Sequence, residues 1–256
     1  MSSWHGVVIA VLVTALGFVG LAGSGVAAQG SGTVARLAKA NDAYAQGRWA
    51  EAAEEYRALA DQGVNDPVVW YNLGNAYFKL LDFGRSRASY ERALRLAPRD
   101  ADVRHNLELL QARLGETPAD EGLMARMAFY FTTNELAVAA SVAWFAAVGL
   151  FLASFRPEAR RVKPPLLGGA GLAAATLLLG LSLLVLRAYG PDGGTQAVVV
   201  PATAKLFNGP GREYTSGVQL SAGNRVKVLR ADGDWREVAA NQRVTGWLRA
   251  EELEQI

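Results

Sequence analysis

Few residues of this 256-residue chain are equipped for reaction chemistry. There is no cysteine. That removes disulfides, thiolate metal ligands, a cysteine nucleophile and an amino-terminal lipid anchor. His5 and His105 are the two histidines, so no multi-histidine metal site is available. His105 stands alone and reads as a surface or packing residue. No Ser/His/Asp grouping, no paired-carboxylate context and no glycine-rich phosphate loop occurs. The reading is a non-enzyme with no cofactor and no metal. What remains are groups that recognise rather than react: amides, phenols and indoles, which offer hydrogen bonds and flat apolar faces. The 26 Lys+Arg against 24 Asp+Glu exclude a chain-wide basic surface for nucleic acid. A hydrophobic fraction of 51% excludes disorder.

The recognising residues cluster in a helical repeat. Between Pro67 and Pro98, Trp70, Leu73, Gly74, Tyr77, Ser86, Tyr90, Ala93 and Pro98 fall at the spacing of a helical hairpin. Trp70, Leu73 and Tyr77 sit at i, i+3 and i+7 and bury one face. Gly74 and Ser86 are small where two helices cross, and Pro98 ends the second helix. This matches the tetratricopeptide (TPR) pattern, with Ser86 in place of alanine. Shifted back by about 34 residues, the repeat length, the pattern returns in Tyr44, Trp49, Ala52 and Tyr56, but Arg36 and Lys39 replace the Trp and Leu. Shifted forward, only the first helix continues, through Asn106 and Leu107, and the pattern fades by Leu114. The expectation is two repeats and a cap helix over 33–115. In such arrays the first helix of each repeat lines a concave groove, which makes Tyr71, Asn72, Asn75, Phe78, Lys79 and Asn106 the candidate partner-binding residues. The bland reading of each is ordinary polar surface.

Three apolar runs point to a membrane. Val7–Leu21 is followed by small residues, with signal cleavage expected after Ala28 (1–28). Leu136–Phe155 and Leu166–Leu186 carry no charge and are each long enough to span the hydrocarbon. The loop between them, 156–163, holds Arg156, Arg160, Arg161 and Lys163, and short basic loops stay in the cytoplasm. The hairpin therefore places both flanking regions on the far side, in the periplasm. Residues 116–135 form a linker and interfacial segment, with Phe129, Tyr130 and Phe131 as interfacial aromatics.

From 191 to 256 the texture changes to short β-rich runs between turns: Ala197–Val200, Arg225–Leu229, Trp235–Ala239 and Val244–Leu248. Five short strands are expected to close a small all-β barrel. The Gly233-Asp234-Trp235 and Gly246-Trp247-Leu248 runs resemble those of the bacterial SH3-like domain, a binding module. Phe207, Tyr214, Trp235 and Trp247 are its candidate anchors, with barrel core the competing role for the two tryptophans.

The whole is multidomain: helical TPR repeats, a two-helix transmembrane hairpin and an SH3-like barrel. Its order, with the Asp100–Glu108 join after the last repeat, resembles the BatE-type membrane proteins of the Bacteroides-aerotolerance operon. That resemblance implies a non-enzymatic inner-membrane scaffold. It would act with von Willebrand A-type membrane proteins and a MoxR-type ATPase in envelope stress or aerotolerance. The alternative is a cell-wall protein that holds peptidoglycan stems through the SH3-like domain. A subunit of a respiratory or cytochrome-maturation complex is a weaker reading.

Overall fold

The computed structural model describes residues 26–116, 123–155, 162–189, 195–240 and 244–256. The signal run Val7–Leu21, the basic-loop residues Arg156, Arg160 and Arg161, and the side chain of Lys163 lie outside the described residues. Ala28 lies in the first turns of the first helix, α1 (Val26–Ala45).

Four more helices follow: α2 (Trp49–Asp61), α3 (Pro67–Lys79), α4 (Phe83–Leu96) and α5 (Ala101–Arg113). Their starts are written in the sequence. Asp66, Asp82 and Asp100 accept hydrogen bonds from the backbone N–H groups of Val68, Arg85, and Asp102 with Val103. Such caps satisfy donors that the helix itself leaves open. Each first-to-second helix turn uses a left-handed residue at the same repeat position: Gly47, Leu81 and Gly115, at φ of 74°, 61° and 71°. Leu81 alone pays the Cβ penalty there. Buried Leu59, Leu73, Tyr56, Val69 and Ala76 make the first core, and Tyr90, Ala93, Val103 and Leu110 the second. Each large apolar side chain so buried contributes roughly 2 kcal/mol.

The expectation that only one helix continues past the second repeat needs correction. Helix α6 (Leu123–Tyr130) ends one repeat length after α4. Its Ala128, the counterpart of Leu94, is buried against Leu136 and Leu183 instead of against α5. A change of packing partner erased the signature while the helix persisted.

Helices α7 (Thr133–Ala153) and α8 (Lys163–Tyr189) form an antiparallel pair, and both are long and apolar enough to cross a membrane. Val138, Phe145, Leu172 and Val185 stay exposed on them, a surface that points to membrane association. Thr132 and Glu135 form a reciprocal capping box, so α7 starts three residues before the apolar run does. Small residues seat the pair: Gly180 faces Ala140, and Gly169 faces Leu150.

The carboxy-terminal region is an antiparallel sheet of seven strands among the described residues: β1 (Gln196–Val199), β2 (Thr203–Phe207), β3 (Ser216–Ser221), β4 (Arg225–Asp232), β5 (Trp235–Ala240), β6 (Val244–Arg249) and β7 (Leu253–Gln255). Their order is β3-β2-β6-β5-β4-β1-β7, with an open edge at each end. The expected closed barrel is therefore corrected to an open sheet, and five strands to seven. Two observations account for this. β2 joins β6 through a single pair, Phe207 with Trp247. The far edge, β7, faces helix α4 instead of returning to β3.

That last contact fixes how the sheet meets the helices. Gly84 on α4 lies against the end of β1: a Cβ there would be 2.6 Å from the Val199 carbonyl oxygen and 2.7 Å from Val200 Cα. Arg57 and Arg92 both bind Glu254 of β7, at 3.0 and 2.8 Å. Arg87, 4% exposed, donates to the Gly223 carbonyl at 2.7 Å, to Glu91 at 2.8 Å and to Glu116 at 2.7 Å. Burial lowers the Arg87 pKa, but Glu91 and Glu116 more than offset it and hold the guanidinium charged.

Candidate functional site

The convex side of the helical array is thus occupied by the sheet. The concave side is open among the described residues. There α3 and α5 flank a pocket of about 270 Å³ walled by Tyr44, Tyr71, Asn75, Phe78, Lys79, Tyr90, Asn106 and Leu109. Five of the six groove residues expected from sequence are brought together: Tyr71, Asn75, Phe78, Lys79 and Asn106. The sixth, Asn72, lies one repeat earlier, beside the Tyr56 hydroxyl.

The pocket floor is a hydrogen-bonded ladder. Tyr90 donates its hydroxyl to Asn75 Oδ1 at 2.7 Å. Asn106 Nδ2 donates to the same oxygen at 2.9 Å and to the Tyr71 hydroxyl at 3.1 Å. One repeat earlier, Tyr56 donates to Asn41 Oδ1 at 2.6 Å, with Asn72 alongside. Asn41, Tyr56 and Asn72 thus recur one repeat length on as Asn75, Tyr90 and Asn106. Burial pushes the Tyr56 hydroxyl up to about 12 and raises Tyr90 and Tyr44 as well. All three phenols stay neutral donors across the physiological range.

Gly74 allows this geometry. A Cβ at that position would meet the Tyr90 ring at 2.6 Å. Ser86 Oγ donates to the Gly74 carbonyl at 2.9 Å and locks the crossing. The first repeat carries buried Ala40 at the matching place. Sequence reasoning named the asparagines and missed Tyr44, Tyr90 and Leu109 as pocket walls. The repeat spacing of the Asn–Tyr pairs was the signal that could have found Tyr90.

The ladder leaves Asn75 Nδ2 with no hydrogen-bond partner among the described residues, beside the apolar faces of Tyr71 and Phe78. An amide donor between aromatic rings suits an extended peptide, whose carbonyls it meets while side chains fill the apolar walls. Lys79 adds a positive charge at the rim, held 5.7 Å above the Trp49 ring.

Residues 37–101 and 71–128 match the tetratricopeptide repeat family model. The helical array is a tetratricopeptide-repeat module. The second match runs past α5 through most of α6, in keeping with a third, altered repeat. Neither match reaches the α7–α8 pair or the sheet. A comparison with curated proteins finds no match.

Outside the tetratricopeptide repeats, the four aromatic candidates of the sheet separate. Trp247 is 5% exposed, with the Arg230 guanidinium 5.0 Å over its ring, so it is a packed residue and not an open anchor. Trp235 and Phe207 are half-buried and meet edge to face at 5.5 Å. Tyr214 is exposed. A larger cleft of about 700 Å³ follows the seam between repeats and sheet, past Leu81, Phe83, Leu114 and Pro201. Its charged walls are already engaged: Asp82 with Arg85, Glu251 with Arg249, and Glu252 with the Arg249 backbone. The smaller concave pocket keeps an open donor.

Proposed function

We propose that this protein is a non-enzymatic membrane scaffold whose tetratricopeptide groove holds a segment of a partner protein. The observation that carries it is the concave pocket: an asparagine–tyrosine ladder with an unengaged amide donor, on an array whose other face is taken by its own chain. The two apolar helices support attachment to a membrane. The basic loop 156–163 and the signal-like run support the bacterial inner membrane, with repeats and sheet in the periplasm. The Gly-Asp-Trp and Gly-Trp-Leu runs support an SH3-like kinship for the sheet. The resemblance to BatE-type proteins makes a von Willebrand A-type protein or the MoxR-type ATPase system the partners to look for.

A photo-crosslinker at Phe78 of the full chain, in its own membrane, tests this. Capture of a defined envelope protein, lost on Asn75→Ala, is the expected result. Capture that persists in Asn75→Ala, or no capture, refutes a groove-bound partner. The exposed Tyr214 and the Phe207–Trp235 pair favour a second reading, peptidoglycan binding by the sheet. It requires that the full chain sediment with purified peptidoglycan and that Trp235→Ala abolish this.

A further inference from the structure

Arginines gather where the repeats, the sheet and the apolar helix pair meet. Arg92 and Arg95 near the end of α4, and Arg99 just beyond it, lead toward Phe131, whose ring lies 6.0 Å from the Arg99 guanidinium. Arg187, in the last turn of α8, donates to the carbonyls of Ala128 and Phe131 at 3.0 and 2.7 Å, so it meets the same residue. Arg225 of β4 reaches α4 from the other side, 3.2 Å from Glu91.

Negative charge at this junction is short. Glu91 is shared by Arg87 and Arg225, Glu254 by Arg57 and Arg92, and Glu135 is bound by Arg99. Arg95 and Arg187 pair with no carboxylate among the described residues. Arg225 Nε is buried and makes no hydrogen bond, because its approach to Glu91 is poorly aligned. Arg95 is open to solvent, yet its surroundings are hostile to charge. Desolvation lowers its pKa; Glu91 acts against this, while Arg225, Arg187 and Arg92 lower it further. Neighbouring guanidiniums repel one another, and an anion held between them relieves that repulsion.

We propose that Arg95, Arg187 and Arg225 bind the phosphate of an anionic phospholipid in the leaflet that faces the repeats. The site lies at headgroup depth: Arg187 ends a helix of membrane-crossing length, and Phe129, Tyr130 and Phe131 form the aromatic belt around it. A basic cluster at that depth draws acidic lipid by about 1 kcal/mol per side chain. This rests on the membrane reading of α7 and α8. The bound lipid ties the helical array to the membrane surface, which fixes the height of the concave groove.

The full chain is reconstituted in nanodiscs of mixed phosphatidylglycerol and phosphatidylcholine, and retained lipid is read by native mass spectrometry. Retention of phosphatidylglycerol over phosphatidylcholine is expected. Arg95→Gln should cut it about fivefold, Arg95→Lys should keep most of it, and the remote Lys205→Gln should leave it unchanged. Equal retention of the two lipids, or an unchanged Arg95→Gln, overturns the proposal. So does saturation of the site by inorganic phosphate in detergent, lost in Arg95→Gln, which would make a free anion the ligand. Alkaline extraction of native membranes separates the two ideas. Release of the chain refutes the membrane reading itself, while retention with equal lipid binding refutes only the lipid site.

Discussion

The two faces of the helical array are built by opposite means. The floor of the concave face is neutral, with Lys79 at its rim: phenols and amides hydrogen-bond one another and leave one donor open. The convex face is charged and closed: Arg57, Arg87 and Arg92 reach the sheet, and Gly84 lets strand backbone touch helix backbone. Neutral groups lose little on desolvation and can be offered to a ligand, then returned to water. Buried charges cannot, because their desolvation is repaid only by permanent partners. The convex face is therefore architecture, and the concave face is the one left for exchange.

Breaking that division should cost most at Arg87. Arg87→Ala leaves Glu116 and the Gly223 carbonyl without their arginine and Glu91 with Arg225 alone, at about 3 kcal/mol. Chemical denaturation should show it, and a loss under about 1 kcal/mol would deny Arg87 its central place. Gly84→Val comes next, at up to about 3 kcal/mol, since the new side chain meets backbone that cannot swing aside. Its mark is local: amide exchange should quicken in β1 and β7 while β5 and β6 stay protected. Uniform exchange across the sheet would contradict the docking described. On the other face, Asn75→Ala removes a hub of the ladder at about 1 kcal/mol. It should reduce groove crosslinking strongly while β1 and β7 keep their protection. A change in both would show that the faces are coupled. The smallest effect belongs to Leu81→Gly, which relieves a left-handed leucine and should raise stability by about 0.5 kcal/mol, the strain relief being partly offset by glycine's greater entropy when unfolded. A clear loss of stability would mean that the exposed Leu81 side chain packs usefully in solution.

The second repeat was legible because each signature residue does one local job: Trp70, Leu73 and Tyr77 pack, Gly74 makes room, and Pro98 stops a helix. The first repeat was faint for a reason the structure supplies. Arg36 and Lys39 stand where Trp and Leu would need a preceding repeat to cover them, and instead they pair with Glu55 at 3.1 and 2.6 Å. A terminal repeat has to be polar on its outer side. The fading after Leu114 was misleading, because α6 kept its helix and changed its partners. The docking of sheet on helices was invisible. Gly84 reads as an ordinary helix glycine, and Glu254 lies far along the chain from Arg57, with no periodicity linking them. The open sheet was missed for the same reason: strand patterns show which runs are extended and say nothing about which edges meet.

The diversion of α6 has a consequence for assembly. Stacked helical repeats have two cut ends, and an uncovered end is adhesive toward another copy's opposite end, the head-to-tail geometry that yields open filaments. Here one end is polar, through Arg36, Lys39 and Glu55, and the other is turned aside to seat Ala128 against Leu136 and Leu183. Neither end matches the other. The array can be crowded on a surface without polymerising along its own axis.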